Sequence, residues 1–184
     1  YLPLRVAAAA AEFELPISPV TLQNLRRCPI RDSVWDDESR QLFVRLLASG
    51  PALMRVWEEL DFVDIPGRWM PEWLGIRNRP SASAAHRYTI DRHSVEVTSR
   101  LARVSAARGE RYDDRHYTAL LLAGLLHDVG KRPFVTDHAA EGARHAAVIM
   151  KRMGFDADIA RWVRILVREH LTLSEFCLLY TSPS

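Results

Sequence analysis

Four histidines and one aspartate dominate the chemistry this sequence could perform. His93, His127, His138 and His170 fall on four separate helical patterns, each on or beside the apolar face, and Asp128 directly follows His127. A single core histidine is commonly satisfied by a backbone carbonyl. Four on consecutive helices are harder to bury that way, because each unpartnered imidazole costs about 1–3 kcal/mol. A bound divalent cation removes the difficulty: neutral imidazole is a frequent ligand of transition metals, and a carboxylate adds anionic charge and can bridge two ions. Neighbouring residues on a helix point about 100° apart, so His127 and Asp128 reach one ion only at a helix end. Gly130 is expected to supply that end as a left-handed cap.

The other histidines carry less. His145 lies seven residues after His138, on nearly the same face, and is expected at the surface or just behind the site. His116 sits in the charged stretch 110–116 and is expected to be solvated. His86 precedes its helix and is placed to point into the mouth of the site, and either it or Arg92 could bind phosphate.

The elements that must position these residues read as helices almost throughout, with no strand-like alternation. Residues 4–13 are Ala-rich, and Pro16 and Pro19 break that run. Ser18 or Thr21 can cap a short helix through Leu25. Asp36, Asp37 and Glu38 open another through Leu47, with acids where the helix dipole favours them. Pro51 starts the next. Residues 61–85 are expected to form a loop whose Trp69 and Trp73 pack against the helices. Ile90, His93, Val97, Leu101 and Val104 define one helix face. Residues 117–128 are apolar nearly all round and predict a central buried helix. A third helix runs from His138 to Met153 and is closed by Gly154. Asp156 caps a fourth, with Ile159, Trp162, Val163, Leu166, Val167 and His170 on one face.

Composition bounds the rest. The 184 residues are 48% hydrophobic and 26% charged, which is globular and excludes dominant disorder. The formal net charge of +2 gives no electrostatic case for nucleic acid or membrane. The longest apolar run, 119–126, is too short to span a bilayer. Cys28 and Cys177 form neither a metal-type pair nor a disulfide framework, so a cytoplasmic setting is the expectation. The fold expected is all-α: a helical linker region over residues 1–80, a C-terminally truncated helical bundle over 81–176, and a non-native tail over 177–184.

His93 on its helix, followed by Leu125-Leu126-His127-Asp128-Val129-Gly130-Lys131, resembles the HD superfamily of metal-dependent phosphohydrolases. His138 and His170 are similar to the two further histidines of its dinuclear members. The segments Trp69-Met70-Pro71-Glu72-Trp73, His86 to His93, Asp137-His138 and Leu166 to Leu171 resemble, more narrowly, the HD region of bifunctional uridylyltransferase/uridylyl-removing enzymes. The resemblance covers about residues 2–176 and implies an HD-domain helical bundle with an N-terminal helical extension. One departure stands out. The superfamily closes its site with a later Asp, whereas no Asp follows Asp158 and Glu175 is the only acid beyond His170. The resemblance therefore implies a ligand set short of one member and, for that reason, a chain that could lack activity as it stands.

The activity implied is hydrolysis of the phosphodiester joining UMP to a tyrosine of the PII nitrogen-regulatory protein. The metal ligands implied are His93, His127, Asp128, His138 and His170, holding one or two divalent ions (Mn, Mg, Fe or Zn). Asp128, Lys131 and His86 are the catalytic candidates. Lys131 lies one turn past the metal pair, where it could neutralise a phosphate oxygen. Uridylylated PII is the implied partner. Three other readings remain open: an HD phosphohydrolase acting on a free nucleotide or cyclic dinucleotide, a non-catalytic signalling relay, and a metal-free helical scaffold. Oligomeric state is not legible.

Overall fold

A computed structural model describes residues 1–29, 34–80, 88–108 and 114–172. His86, Glu175 and the tail 177–184 lie outside the described residues. Among those described the fold is all-α, with one isolated antiparallel bridge, Pro80 to Thr89. None of the described helices is long and apolar enough to cross a membrane.

The first four helices start where capping chemistry places them. Helix α1 (Leu2–Glu12) has Pro in its first turn and buries Leu4, Ala7 and Ala11. Helix α2 (Pro19–Arg27) is capped by the Ser18 side chain, which accepts from the Thr21 N–H at 3.1 Å. Helix α3 (Asp37–Leu47) is capped by Asp36, which accepts from the Ser39 N–H at 2.8 Å. Helix α4 (Pro51–Asp61) has Pro in its first turn, where a missing N–H costs nothing.

The stretch expected as a loop contains two further elements, α5 (Ile65–Trp69) and a 3-10 turn (Pro71–Gly75). Both are too short to show a hydrophobic period. Tertiary burial holds them: Ile65, Trp69, Met70 and Trp73 are buried. Trp35, Phe43, Trp57, Trp69 and Trp73 form one aromatic cluster with centroid separations of 5.3 to 6.5 Å. Edge-to-face pairs of this kind add about 0.5–1.5 kcal/mol each beyond area burial.

The C-terminal helices are α6 (Ile90–Arg108), α7 (Asp114–Leu126), α8 (His138–Met153) and α9 (Ala157–Glu169). Helix α7 is central, packed on α6, α9 and α3, while α8 packs on α9 and α4 on α6. Ala119, Leu121, Leu122, Leu125 and Leu126 of α7 are all buried. Gly154 ends α8 with φ of +70°, and Asp156 caps α9 by accepting from the Asp158 and Ile159 N–H groups.

Three expectations are corrected. Of the expected Ile90–Val97–Leu101–Val104 stripe on α6, Ile90 is buried, Val97 and Leu101 are half-buried and Val104 is exposed, while Asp91, Ser94, Val95, Thr98, Ser99 and Ala102 make up the rest of the buried face. Hydroxyls can occupy that face because each finds an internal acceptor. Ser94 donates to Ile90 O at 3.2 Å, Thr98 to Ser94 O at 2.9 Å, and Ser99 crosses to Gly50 O at 2.8 Å. On α9, likewise, Leu166 is exposed, while Ile159, Val163 and Val167 are buried. Gly130 is not a left-handed cap either: α7 ends at Leu126, and the positive-φ glycines among the described residues are Gly50 and Gly154. What Gly130 provides is contact. A Cβ there would lie 2.2 Å from His138 O and 2.4 Å from Gly142 N, so only a glycine lets the turn after α7 press onto α8.

Candidate metal centre

The turn that follows α7 carries His127 and Asp128, and its backbone closes on itself. Val129 N donates to Leu126 O at 3.0 Å, Lys131 N to Asp128 O at 2.9 Å, and Arg132 N to Gly130 O at 2.8 Å. This turn aims Asp128 into the bundle, where only 2% of the residue is exposed. Helix α6 brings His93, the start of α8 brings His138, and the end of α9 brings His170. The rings follow one another at centroid distances of 5.4 Å (His93 to His127), 5.3 Å (His127 to His170) and 5.4 Å (His170 to His138).

Two overlapping triads result. One is His93, His127 and Asp128, the other Asp128, His138 and His170, and within each the ligating atoms lie within 4.8 Å of one another. Asp128 belongs to both. Its Oδ2 lies 3.3 Å from His127 Nε2 and accepts from Lys131 Nζ at 2.7 Å. Its Oδ1 lies 3.5 Å from His170 Nε2 and 4.0 Å from His138 Nε2.

The orientation of two rings is set from behind. His127 Nδ1 donates to Gly124 O at 2.9 Å, and His170 Nδ1 donates to Val167 O at 2.7 Å. With the proton on Nδ1, the Nε2 lone pair of each faces the carboxylate, the arrangement typical of metal-ligating histidines. Asp128 Oδ1, His138 Nε2 and His170 Nε2 are all buried and none has a hydrogen-bond partner. A buried carboxylate oxygen and imidazole nitrogens converging without a proton donor among them is a donor set for a cation. The residues present therefore fit a divalent ion.

The electrostatics point the same way. Burial alone would raise the Asp128 carboxyl, but the His127 and His170 rings and the Lys131 ammonium hold it well below the usual carboxylate range. His138 is pushed down by burial and by the charge of Lys131, against the opposing pull of Asp128, which favours the neutral ligand form.

The remaining candidates separate. Lys131 reaches the centre through its ion pair with Asp128. Arg92 does not turn inward: it pairs with Glu58 and lies 5.2 Å over the Tyr88 ring. His145 Nε2 sits 2.9 Å from Glu141 Oε1, and burial and the nearby Arg132 charge lower its pKa. His116, though exposed, stacks on Trp162 with ring centroids 4.2 Å apart. Sequence reasoning missed Arg132, whose Nη2 donates to Glu72 O at 2.7 Å and ties the metal turn to the 3-10 turn. The adjacent Gly-Lys-Arg string gives no cue to it, because its acceptor is a backbone carbonyl sixty residues away.

The HD domain family matches residues 90–179. A bifunctional uridylyltransferase/uridylyl-removing enzyme of Streptomyces coelicolor is 39% identical over 95% of the chain, and one of Mycobacterium tuberculosis is 38% identical over 94%. A third, of Corynebacterium glutamicum, is 34% identical over 95% of the chain. The chain spans 20% of the length of the first two relatives and 24% of the third. With its helical fold and its His127-Asp128 pair inside the matched region, residues 90–179 belong to the HD domain family, and the chain is similar along nearly its whole length to one segment of the bifunctional uridylyltransferase/uridylyl-removing enzymes.

Proposed function

We propose that this chain is a metal-dependent phosphohydrolase segment that removes UMP from the uridylylated PII protein. The observation that carries the reading is the meeting of Asp128 Oδ1 with the Nε2 atoms of His138 and His170, all buried and none hydrogen-bonded. In this reading His93, His127 and Asp128 hold one divalent ion, and Asp128, His138 and His170 hold a second. When bound, such an ion lowers the pKa of a water to near neutrality and offsets charge on a phosphoryl group. The imidazole and carboxylate donors suit Mn, Fe, Zn or hydrated Mg.

The chain's own residues have distinct tasks. Gly124 O and Val167 O keep His127 and His170 in the ligating tautomer. Asp128 contributes one oxygen to each half of the site. Lys131, one turn on, neutralises a non-bridging phosphoryl oxygen as charge builds there. The overall reaction adds water across the P–O bond. The oxygen of water joins phosphorus, the tyrosyl oxygen leaves and takes a proton, and UMP is released.

The test is release of UMP from uridylylated PII by the Mn²⁺-loaded chain and by a full-length relative, beside a panel of free nucleotides and cyclic dinucleotides. The reading requires turnover of the protein substrate that is lost, together with metal, in Asp128→Asn. Faster turnover of a free or cyclic nucleotide would instead favour a general nucleotide phosphohydrolase.

A further inference from the structure

The 3-10 turn Pro71–Gly75 meets the metal turn at Arg132. Arg132 places its guanidinium over Gly75. A Cβ on Gly75 would lie 2.4 Å from Nε, 2.6 Å from Cζ and 2.8 Å from Nη2. From this seat Nη2 donates to Glu72 O at 2.7 Å, and Nε is buried. The Glu72 carboxylate is held by Arg152 of α8, through bonds of 2.6 and 2.7 Å. The same turn presses through Gly130 onto His138 O and Gly142 N of α8. Its far end, four residues from Asp128, is thus fastened to the region that precedes α6, and its middle to α8.

We propose that Arg132 is a positioning residue for the metal centre, and that Gly75 and the Glu72 carbonyl form its seat. The claim rests on the metal-centre reading above. Arg132 touches none of the candidate ligands. It acts through the backbone, because the hydrogen bonds Arg132 N to Gly130 O and Lys131 N to Asp128 O make residues 128–132 one closed unit. Holding the guanidinium fixes the height at which Asp128 enters the bundle. That height decides whether the carboxylate can serve both imidazole pairs. On this view residues 71–75 are part of the centre's scaffold, although they supply no ligand, and any movement of that segment reaches Asp128 directly.

The structure offers a variant that perturbs the seat alone. In Gly75→Ala the three atoms nearest the new methyl group all belong to the end of a flexible side chain, so the chain can fold with Arg132 displaced. Mn²⁺ affinity is measured by calorimetry at a temperature well below Tm, on the unaltered chain, Gly75→Ala, Arg132→Ala and the double variant. Loss of at least tenfold in affinity is expected in each single variant, with unchanged far-UV circular dichroism. The double variant should be no worse than Arg132→Ala, because both changes remove one interaction. Glu72→Gln keeps the carbonyl and should bind Mn²⁺ within about threefold of the unaltered chain.

Equal affinity in Gly75→Ala and the unaltered chain, or losses that add in the double variant, would overturn the proposal. A metal-free readout separates it from the reading beneath it: amide NMR shifts of Asp128 and Lys131 should move in Gly75→Ala. An unaltered chain that binds no Mn²⁺ sinks the metal reading, and the positioning claim then stands or falls on whether those amides shift.

Discussion

The Lys131 ammonium donates to Asp128 Oδ2 at 2.7 Å, on the carboxylate whose other oxygen faces His138 and His170. In the reading proposed above, a lysine in that place would compete with a cation for the same oxygen, and would turn toward substrate once a cation takes it. Two consequences of opposite sign follow from one substitution. Lys131→Ala should bind Mn²⁺ about tenfold more tightly, roughly 1.4 kcal/mol, because a neighbouring positive charge is gone. Hydrolysis should nonetheless fall by about 10²-fold, through loss of charge stabilisation at phosphorus. Calorimetry and a UMP-release assay read the two effects separately, and parallel losses in both would contradict the assignment.

Metal should also act as a stabilising ligand. A cation that binds only the folded chain adds about 2.7 kcal/mol at a free concentration a hundred times its dissociation constant. Thermal unfolding with and without Mn²⁺ should show a rise in Tm that disappears in His127→Ala and shrinks in His138→Ala. A Tm indifferent to Mn²⁺ would count against the centre.

The atoms nearest a Cβ on Gly130 are all backbone of α8, so Gly130→Ala meets no side chain that could move aside first. Overpacking of this kind costs about 1–3 kcal/mol. Urea denaturation should show that loss. The contrast with Gly75→Ala, where the obstacle is a mobile guanidinium, makes the pair informative.

Asp156 gives the chain a pH-dependent element away from the metal centre. Burial raises its carboxyl, but the Ile159 and Asp158 N–H groups and Arg115 outweigh that and leave it below the ordinary aspartate value. A carboxylate lowered in the folded state contributes stability that is full above its unfolded pKa of about 4 and is lost as pH falls through the folded value. Stability should therefore decline below about pH 4, less steeply in Asp156→Asn. Asp156→Ala should cost about 1 kcal/mol at neutral pH through loss of the cap.

What the sequence disclosed tracks the range of each interaction. Caps and stops are local, so Ser18, Asp36, Pro51, Gly154 and Asp156 were legible one by one. The stretch of α7 from Ala119 to Leu126, apolar nearly all round, could only be central. The four histidines were legible as a group because they recur on successive helices, and the structure does bring them around Asp128. The buried face of α6 was hidden, because Ser94, Thr98 and Ser99 look like surface residues until their hydroxyls find carbonyls. The short elements between α4 and α6 were hidden because aromatic contacts from α3 and α4 hold them, with no period of their own. Arg132 on Glu72 was beyond reach: the partner is a peptide carbonyl, which carries no residue identity.

The carbonyls of Gly124 and Val167 have one further effect. Each grips an imidazole three residues on in the chain, so these two rings have already lost their rotational freedom in the unloaded chain. Little conformational entropy is then left for a cation to extract when it arrives, and the favourable enthalpy of ligation passes into affinity almost undiminished. His138 opens α8 at the end of the connection from Lys131, and its buried Nε2, which has no hydrogen-bond partner, is left for a cation to engage.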